Sequence, residues 1–215
     1  MKPEHFRAHP WHGVTPGDRC PEVVTAYIEI VPTDTVKFEV DKASGILRID
    51  RPQRYSNICP AMYGFIPQTL CGDQVAKLCV DALARTGADG SAHAPIVGDA
   101  DPVDICVLTE RVVHHGDILV SARPIGGLRL VDKGEADDKL IAVLEGDPAF
   151  DNWRDITDCP AALLNRLSHY FLTYKLSPET MVSQCQIVET FSRAEAYRVI
   201  EASIGDYRSS YWGTR

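Results

Sequence analysis

The stretch VVTAYIEIVPTDTVKFEVDKASGILRID, residues 23–50, sets the fold class. It holds three short β-branched runs, VVTAYIEIV (23–31), TVKFEVD (35–41) and ILRID (46–50). Turn signals at Pro32-Thr33-Asp34 and Ser44-Gly45 part them. In the second run Val36, Phe38 and Val40 share one face, and Lys37, Glu39 and Asp41 the other, because side chains alternate along a strand. Similar runs follow at DICVLTE (104–110), DILVSAR (117–123), GLRLVD (127–132) and KLIAVLE (139–145). Short strands at this spacing predict a closed or partly closed barrel rather than a parallel sheet.

Working outward, residues 71–98, CGDQVAKLCVDALARTGADGSAHAPIVG, are rich in Gly and Ala and lack firm periodicity. They read as a long loop or excursion with room for one helical turn. The last third is helical. PAALLNRLSHYFLTYKL (160–176) puts Leu163, Leu164, Leu167, Phe171 and Leu172 on one stripe, with Pro160 suited to the first turn. SRAEAYRVIEASI (192–204) opens on Ser192 and Glu195, the spacing of a capping box. The expected architecture is mostly β, a barrel flanked by two C-terminal helices. Without repeats or linkers, residues 1–215 read as one domain.

A net charge of −8 argues against nucleic acid or an anionic membrane as a general partner. The seven cysteines are odd in number and irregularly spaced, without a CxxC pair, so neither a disulfide framework nor a zinc knuckle is indicated. The start MKPEHFRAHPWHG lacks the apolar centre of a signal peptide, and no stretch approaches the length of a membrane helix. A reduced, cytoplasmic, soluble protein is the expectation. His9 and His12, like His114 and His115, read as surface residues.

Chemistry concentrates at GDADPVD (98–104), where three carboxylates crowd ahead of an apolar strand. A solvated turn accounts for such a run, and so does a hard cation, which favours several oxygen ligands. Asp99 and Asp101, two apart in an extended segment, would project to one side, and Asp104 leads into the strand that would pin the turn. An EF-hand calcium loop fits Asp99, Asp101 and Glu110 as its first, third and twelfth positions. It fails where Val103 and Asp104 replace the needed oxygen ligand and glycine. A second acidic group, DKGEADDK (132–139), lies between two expected strands; a solvated face is the common reading, but strand ends on one barrel rim would bring the two groups together. Glu29, Lys37, Glu39, Arg51, Arg54, Tyr174 and Lys175 are each ambiguous singly. An acidic, metal-like cluster with scattered Lys, Arg and Tyr suits a phosphate ester or anhydride.

The residues at this point resemble the soluble family I inorganic pyrophosphatases, whose signature D-x-D-P-x-D is matched by DADPVD (99–104). YIEI (27–30), VKFEVDKASGILRIDRP (36–52), YGFIPQTL (63–70), ARPIGGLRLVDKGEADDKLIAVLE (122–145) and HYFLTYK (169–175) are similar to successive family blocks in family order. The resemblance implies a five-stranded OB-like barrel and hydrolysis of pyrophosphate to two phosphates with several Mg²⁺ per subunit. It implies a homo-oligomer, dimer or hexamer. By the same resemblance Asp99, Asp104 and Asp137 match metal ligands, Asp104 bridging two ions, and Asp132 and Glu29 match further carboxylates of the metal shell. Asp101 matches the residue that orients and deprotonates the attacking water. Lys37, Arg51, Tyr63, Lys139, Tyr174 and Lys175 match groups that hold phosphate oxygens, and Glu39 matches an active-site carboxylate.

Three departures stand out. Cys59 in NICPAMYG replaces an active-site tyrosine of many relatives; it reads as a small packed thiol near the site or as an oxidisable switch. Lys133 follows Asp132 where many relatives carry an acid, and the 71–98 segment is longer than in compact bacterial members. Two other readings compete: a metal-dependent phosphohydrolase of broader range, and a non-enzymatic module that binds divalent cations or phosphate.

Overall fold

The computed structural model describes residues 7–87, 95–177, 179 and 183–213. Strands β1 (Val24–Ile30), β4 (Met62–Phe65), β6 (Asp104–Leu108), β9 (Lys139–Leu144) and β7 (Ile118–Asp132) hydrogen-bond in that order. β7 pairs back onto β1, which closes a ring of five strands. Every pairing in the ring is antiparallel except β6 with β9. The expected barrel is therefore present. β2 (Val36–Val40) and β3 (Leu47–Pro52) form a separate hairpin. β5 (Val97–Gly98), β8 (Glu135–Ala136) and β10 (Cys185–Ser192) extend the sheet beyond β7.

Strands β6 and β9 are apolar at successive positions because both of their faces are covered. Ile105, Val107, Leu140 and Ala142 enter one core, together with Val199 and Ile200. Cys106, Leu108, Ile141 and Val143 enter the other, with Leu167 and Phe171. Each strand thus divides its side chains between two clusters.

Four expectations need correction. The runs 117–123 and 127–132 are one strand, β7, bent where its pairing with β9 slips between Pro124 and Gly126. Gly126 sits at φ 156 with the Phe191 carbonyl oxygen 2.4 Å from where a Cβ would be, so Pro-Ile-Gly-Gly is a bend inside a strand rather than its end. The 71–98 segment carries a full helix, α1 (Asp73–Thr86), with Val75, Ala76, Cys79 and Ala82 buried. Its stripe of small residues hides the helical period; residues 88–94 lie outside the described residues. Among the described residues the flanking helices are therefore three: α1, α2 (Ala161–Thr173) and α3 (Arg193–Tyr211). Finally, the capping box at Ser192 does not form. Asp155 Oδ2 accepts from Arg193 N at 3.0 Å, and Glu195 turns instead to Arg129 and Arg198.

Candidate active site

Strand register assembles the site. The parallel pairing of β6 with β9 sets Asp104 beside Lys139. The parallel pairing of β5 with β8 sets Gly98 beside Ala136, so the residues that follow, Asp99 and Asp137, meet across the gap. Both acidic runs lie on one rim, as the strand reading anticipates.

Backbone bonds fix the GDADPVD turn to the head of α1. Cys71 N donates to the Asp101 carbonyl at 2.8 Å, and Ala100 N donates to the Cys71 carbonyl at 3.1 Å. Val103 N donates to Thr69 Oγ1 at 3.0 Å. A Cβ at position 98 would stand 2.1 Å from the Cys71 carbonyl oxygen, a separation that only glycine permits. Ala100 adopts the left-handed conformation, φ 60, so Asp99 and Asp101 are not the extended pair expected. Asp101 N donates to Asp99 Oδ1 at 2.9 Å, while the Asp101 carboxylate pairs with Lys42. Both still line one cavity, of about 220 Å³.

The floor of that cavity is a carboxylate cluster around one buried ammonium. Lys139 Nζ donates to Asp104 and Asp137. Burial disfavours its charge, yet the two carboxylates hold its pKa well above the usual lysine range. Tyr63 donates its hydroxyl to Asp104 Oδ2 at 2.5 Å. Burial, then Asp137, pushes the Asp99 carboxyl up to about 8. Burial likewise pushes Glu29 up to about 8, although Val40 N donates to its Oε1 at 2.7 Å. Burial also raises Asp104, against the pull of Lys139. Asp137 stays low despite burial, because Lys139 faces it. One ammonium does not neutralise this many carboxylates.

A cationic wall stands opposite. Lys37 lies 3.2 Å from Asp50 and 3.6 Å from Glu39, and Lys175 pairs with Asp132. Arg51 donates to Asp50 at 2.6 Å and holds its guanidinium 5.8 Å from the Tyr174 ring centre. Glu29, Lys37, Glu39, Tyr63, Asp99, Asp101, Asp104, Asp132, Asp137, Lys139, Tyr174 and Lys175 all line the cavity. Two residues of the expected set do not. Arg51 lines an adjoining cavity. Cys59 is fully buried in the α2 core, with its thiol pushed up to about 12 by burial.

Lys42, Trp11 and Tyr170 line the site without having been singled out. Lys42 lies in a hairpin turn and carries no motif signal. Trp11 arrives from HPWH, where only the histidines resemble metal ligands. Those histidines are half-buried, not on the surface. His9 Nδ1 accepts from Trp11 N at 3.1 Å, His12 Nδ1 lies 2.7 Å from the Tyr207 hydroxyl, and Trp11 Nε1 donates to the Thr69 carbonyl at 2.8 Å. His114 and His115 are exposed, as expected.

The donor chemistry fits a hard divalent cation: all-oxygen, anionic and under-neutralised. Among the described residues, no three His, Cys, Asp or Glu side chains stand in position to hold an ion as they are, since Lys139 is wedged between Asp104 and Asp137.

The sequence model of the family described as Inorganic pyrophosphatase matches residues 26–208. A curated Inorganic pyrophosphatase of Chlamydia caviae is 48% identical over 214 residues, covering 98% of this chain and 95% of that protein. A Soluble inorganic pyrophosphatase of Oryza sativa is 33% identical, covering 96% of this chain and 83% of its own. The crystal structure of inorganic pyrophosphatase from Thermus thermophilus superposes with a TM-score of 0.75 at 27% identity, over 94% of this chain and 99% of that one. With the barrel and the carboxylate cavity in place, these matches show that the chain belongs to the inorganic pyrophosphatase family.

Proposed function

We propose that this enzyme hydrolyses inorganic pyrophosphate to two phosphates with Mg²⁺. The observation that carries the reading is the convergence, through two parallel strand pairings, of an under-neutralised carboxylate cluster with a wall of Lys, Arg and Tyr in one cavity. Asp99, Asp104, Asp132, Asp137 and Glu29 would hold the metal ions. When bound, these ions would lower the pKa of water and screen phosphoryl charge.

The protein's own groups do the rest. Asp101, on its left-handed turn, orients the attacking water and accepts its proton. Tyr63 keeps its proton, since burial and Asp104 push its pKa well up, and so remains a hydrogen-bond donor. Lys37, Arg51, Lys139, Tyr174 and Lys175 hold phosphate oxygens, stabilising charge that develops on the leaving phosphate. Glu39 beside Lys37 keeps that ammonium in place. Cys59 packs below the site and takes no part in the chemistry.

The reading extends to a cytoplasmic homo-oligomer, dimer or hexamer, built from single-domain chains. Seven free cysteines support the reducing compartment. Among the described residues no helix is long and apolar enough to cross a membrane. Light scattering on the purified protein measures the oligomer.

Phosphate release from pyrophosphate, with Mg²⁺ and with EDTA, tests the activity. Asp104→Asn is expected to abolish turnover, and Asp101→Asn to lower kcat by about 10²–10⁴-fold. Undiminished turnover in EDTA, or in Asp104→Asn, would contradict the assignment. Parallel assays with ATP separate this reading from a broader phosphohydrolase.

A further inference from the structure

Asp138 stands between Asp137 and Lys139, which both line the carboxylate cavity. Its own side chain does not reach that cavity and is fully buried, with Arg129 Nε donating to its Oδ2 at 3.2 Å. Arg129, on β7, is fully buried as well, and its guanidinium meets three further elements. Nη1 donates to the Leu78 carbonyl of α1 at 2.9 Å, and Nη2 donates to Glu195 Oε1 of α3 at 3.1 Å. Nη1 also stands 3.6 Å from Glu189 of β10. Strand pairing lapses at this point. β7 pairs with β9 as far as Leu128 opposite Lys139, and with β8 from Val131 opposite Ala136. Asp137 and Asp138 lie in the gap between these two pairings. A backbone bond crosses it, Asp137 N donating to the Leu130 carbonyl at 3.0 Å, and the Arg129–Asp138 ion pair crosses beside it. Packing alone does not call for charges here. Apolar side chains of like volume often fill a buried site at least as stably as an ion pair, and Asp138 Oδ1 is buried with no hydrogen-bond partner among the described residues.

We propose that Arg129 is a positioning residue for the metal-holding rim. Through Asp138 it fixes residues 137–139 where the ladder lapses, so that Asp137 stays opposite Asp99 and Lys139 keeps its place between Asp104 and Asp137. A planar guanidinium tied to α1 and α3 holds Asp138 in one orientation, which a flexible ammonium does not. Groups that brace a metal ligand from behind tune its affinity for the ion, and their loss weakens binding about 10–100-fold. The inference rests on the pyrophosphatase reading for the nature of the ions.

Mn²⁺ is the probe, because it takes the same oxygen ligands as Mg²⁺ and its free ion is counted by electron paramagnetic resonance. It is titrated into the full-length protein without pyrophosphate, well below the melting temperature of each variant. Arg129→Met with Asp138→Leu should bind Mn²⁺ roughly 10–100-fold more weakly than wild type, while circular dichroism shows it folded. Glu195→Gln loosens the far side of the same guanidinium and spares Asp138, so it should bind Mn²⁺ as wild type does. That contrast separates positioning from stability. The Mg²⁺ concentration for half-maximal phosphate release should rise in step with the loss of Mn²⁺ affinity. If the double variant does not fold, Arg129→Lys carries the test: it keeps the charge, loses the fork, and should bind Mn²⁺ at least about fivefold more weakly. Mn²⁺ affinity within about threefold of wild type in the folded variant, or an equal loss in Glu195→Gln, overturns the proposal. No Mn²⁺ binding to wild type overturns the pyrophosphatase reading along with it, so the two failures are told apart.

Discussion

Asp206, on α3, is expected to hold the first turn of α1 in place, and its removal should be costly. Gly72 at the N-cap offers no side chain. The Asp206 carboxylate instead accepts from Gly72 N at 3.0 Å, Gln74 N at 3.1 Å and Val75 N at 3.2 Å. It is 94% withdrawn from solvent, being 6% exposed, so water does not readily replace it. Losing a cap costs about 0.5–2 kcal/mol, and leaving a buried amide unpaired costs about 1–3 kcal/mol. Gly72 and Gln74 can reach water after substitution, whereas Val75 is fully buried. Asp206→Ala should therefore cost about 3 kcal/mol in all. For a chain of this size that lowers Tm by about 6–12 °C. Asp206→Asn keeps one acceptor oxygen and should lose about 1 kcal/mol. Circular dichroism melts with EDTA present measure both. Because Cys71, just before this helix, binds the backbone of Ala100 and Asp101, the alanine variant should also need more Mg²⁺ for half-maximal activity. A Tm within about 2 °C of wild type in Asp206→Ala, less than 1 kcal/mol at this size, would refute the capping argument.

Three further outcomes are expected. Arg129 and Asp138 pair at 3.2 Å with both side chains fully buried, so Arg129→Met should cost about 3–5 kcal/mol; Arg129→Met with Asp138→Leu should recover part of it, because Glu195, 3.1 Å from the guanidinium, still loses its partner, and thermal melts in which the double variant is no better would contradict this. Glu29 and Asp99, with pKa pushed up to about 8, keep protons in the folded state that the unfolded chain has already lost. The unfolded state binds fewer protons between the ordinary carboxylate range and about 8, so the metal-free protein should lose stability as pH rises through that window. Saturating Mg²⁺ should flatten the loss, and Tm against pH with EDTA and with Mg²⁺ shows whether it does. Cys59 is buried with its thiol pushed up to about 12, so peroxide should affect wild type and Cys59→Ser alike; selective protection of the serine variant in an inactivation time course would restore the switch.

The barrel strands were readable because β-branched alternation and turn residues are local signals. The helix at 160–176 was readable because its leucines keep a helical stripe. The capping box at 192 shows the limit of such signals: its two residues are present, but Arg129 offers Glu195 a buried guanidinium at 3.1 Å and outcompetes the backbone. Helix α1 was missed because its buried face is made of Val75, Ala76, Cys79 and Ala82, too small to mark a period, and because its cap comes from residue 206. The catalytic candidates were legible as residue types, and their motif spacing matched a family. Lys42 was not, since a lysine in a turn has no distinguishing pattern.

What the linear chain determined is therefore the kind of fold and the inventory of carboxylates, cations and phenols that pyrophosphate chemistry needs. Tertiary structure decided which of them share a cavity. Asp104 meets Lys139 only through the β6–β9 register, and Asp99 meets Asp137 only through the short β5–β8 pairing. It also separated Arg51 onto a neighbouring cavity and sank Cys59 into the core. Strand register between distant segments is chosen by packing over the whole barrel, and burial then sets the charge states. Neither is written in any local stretch of sequence.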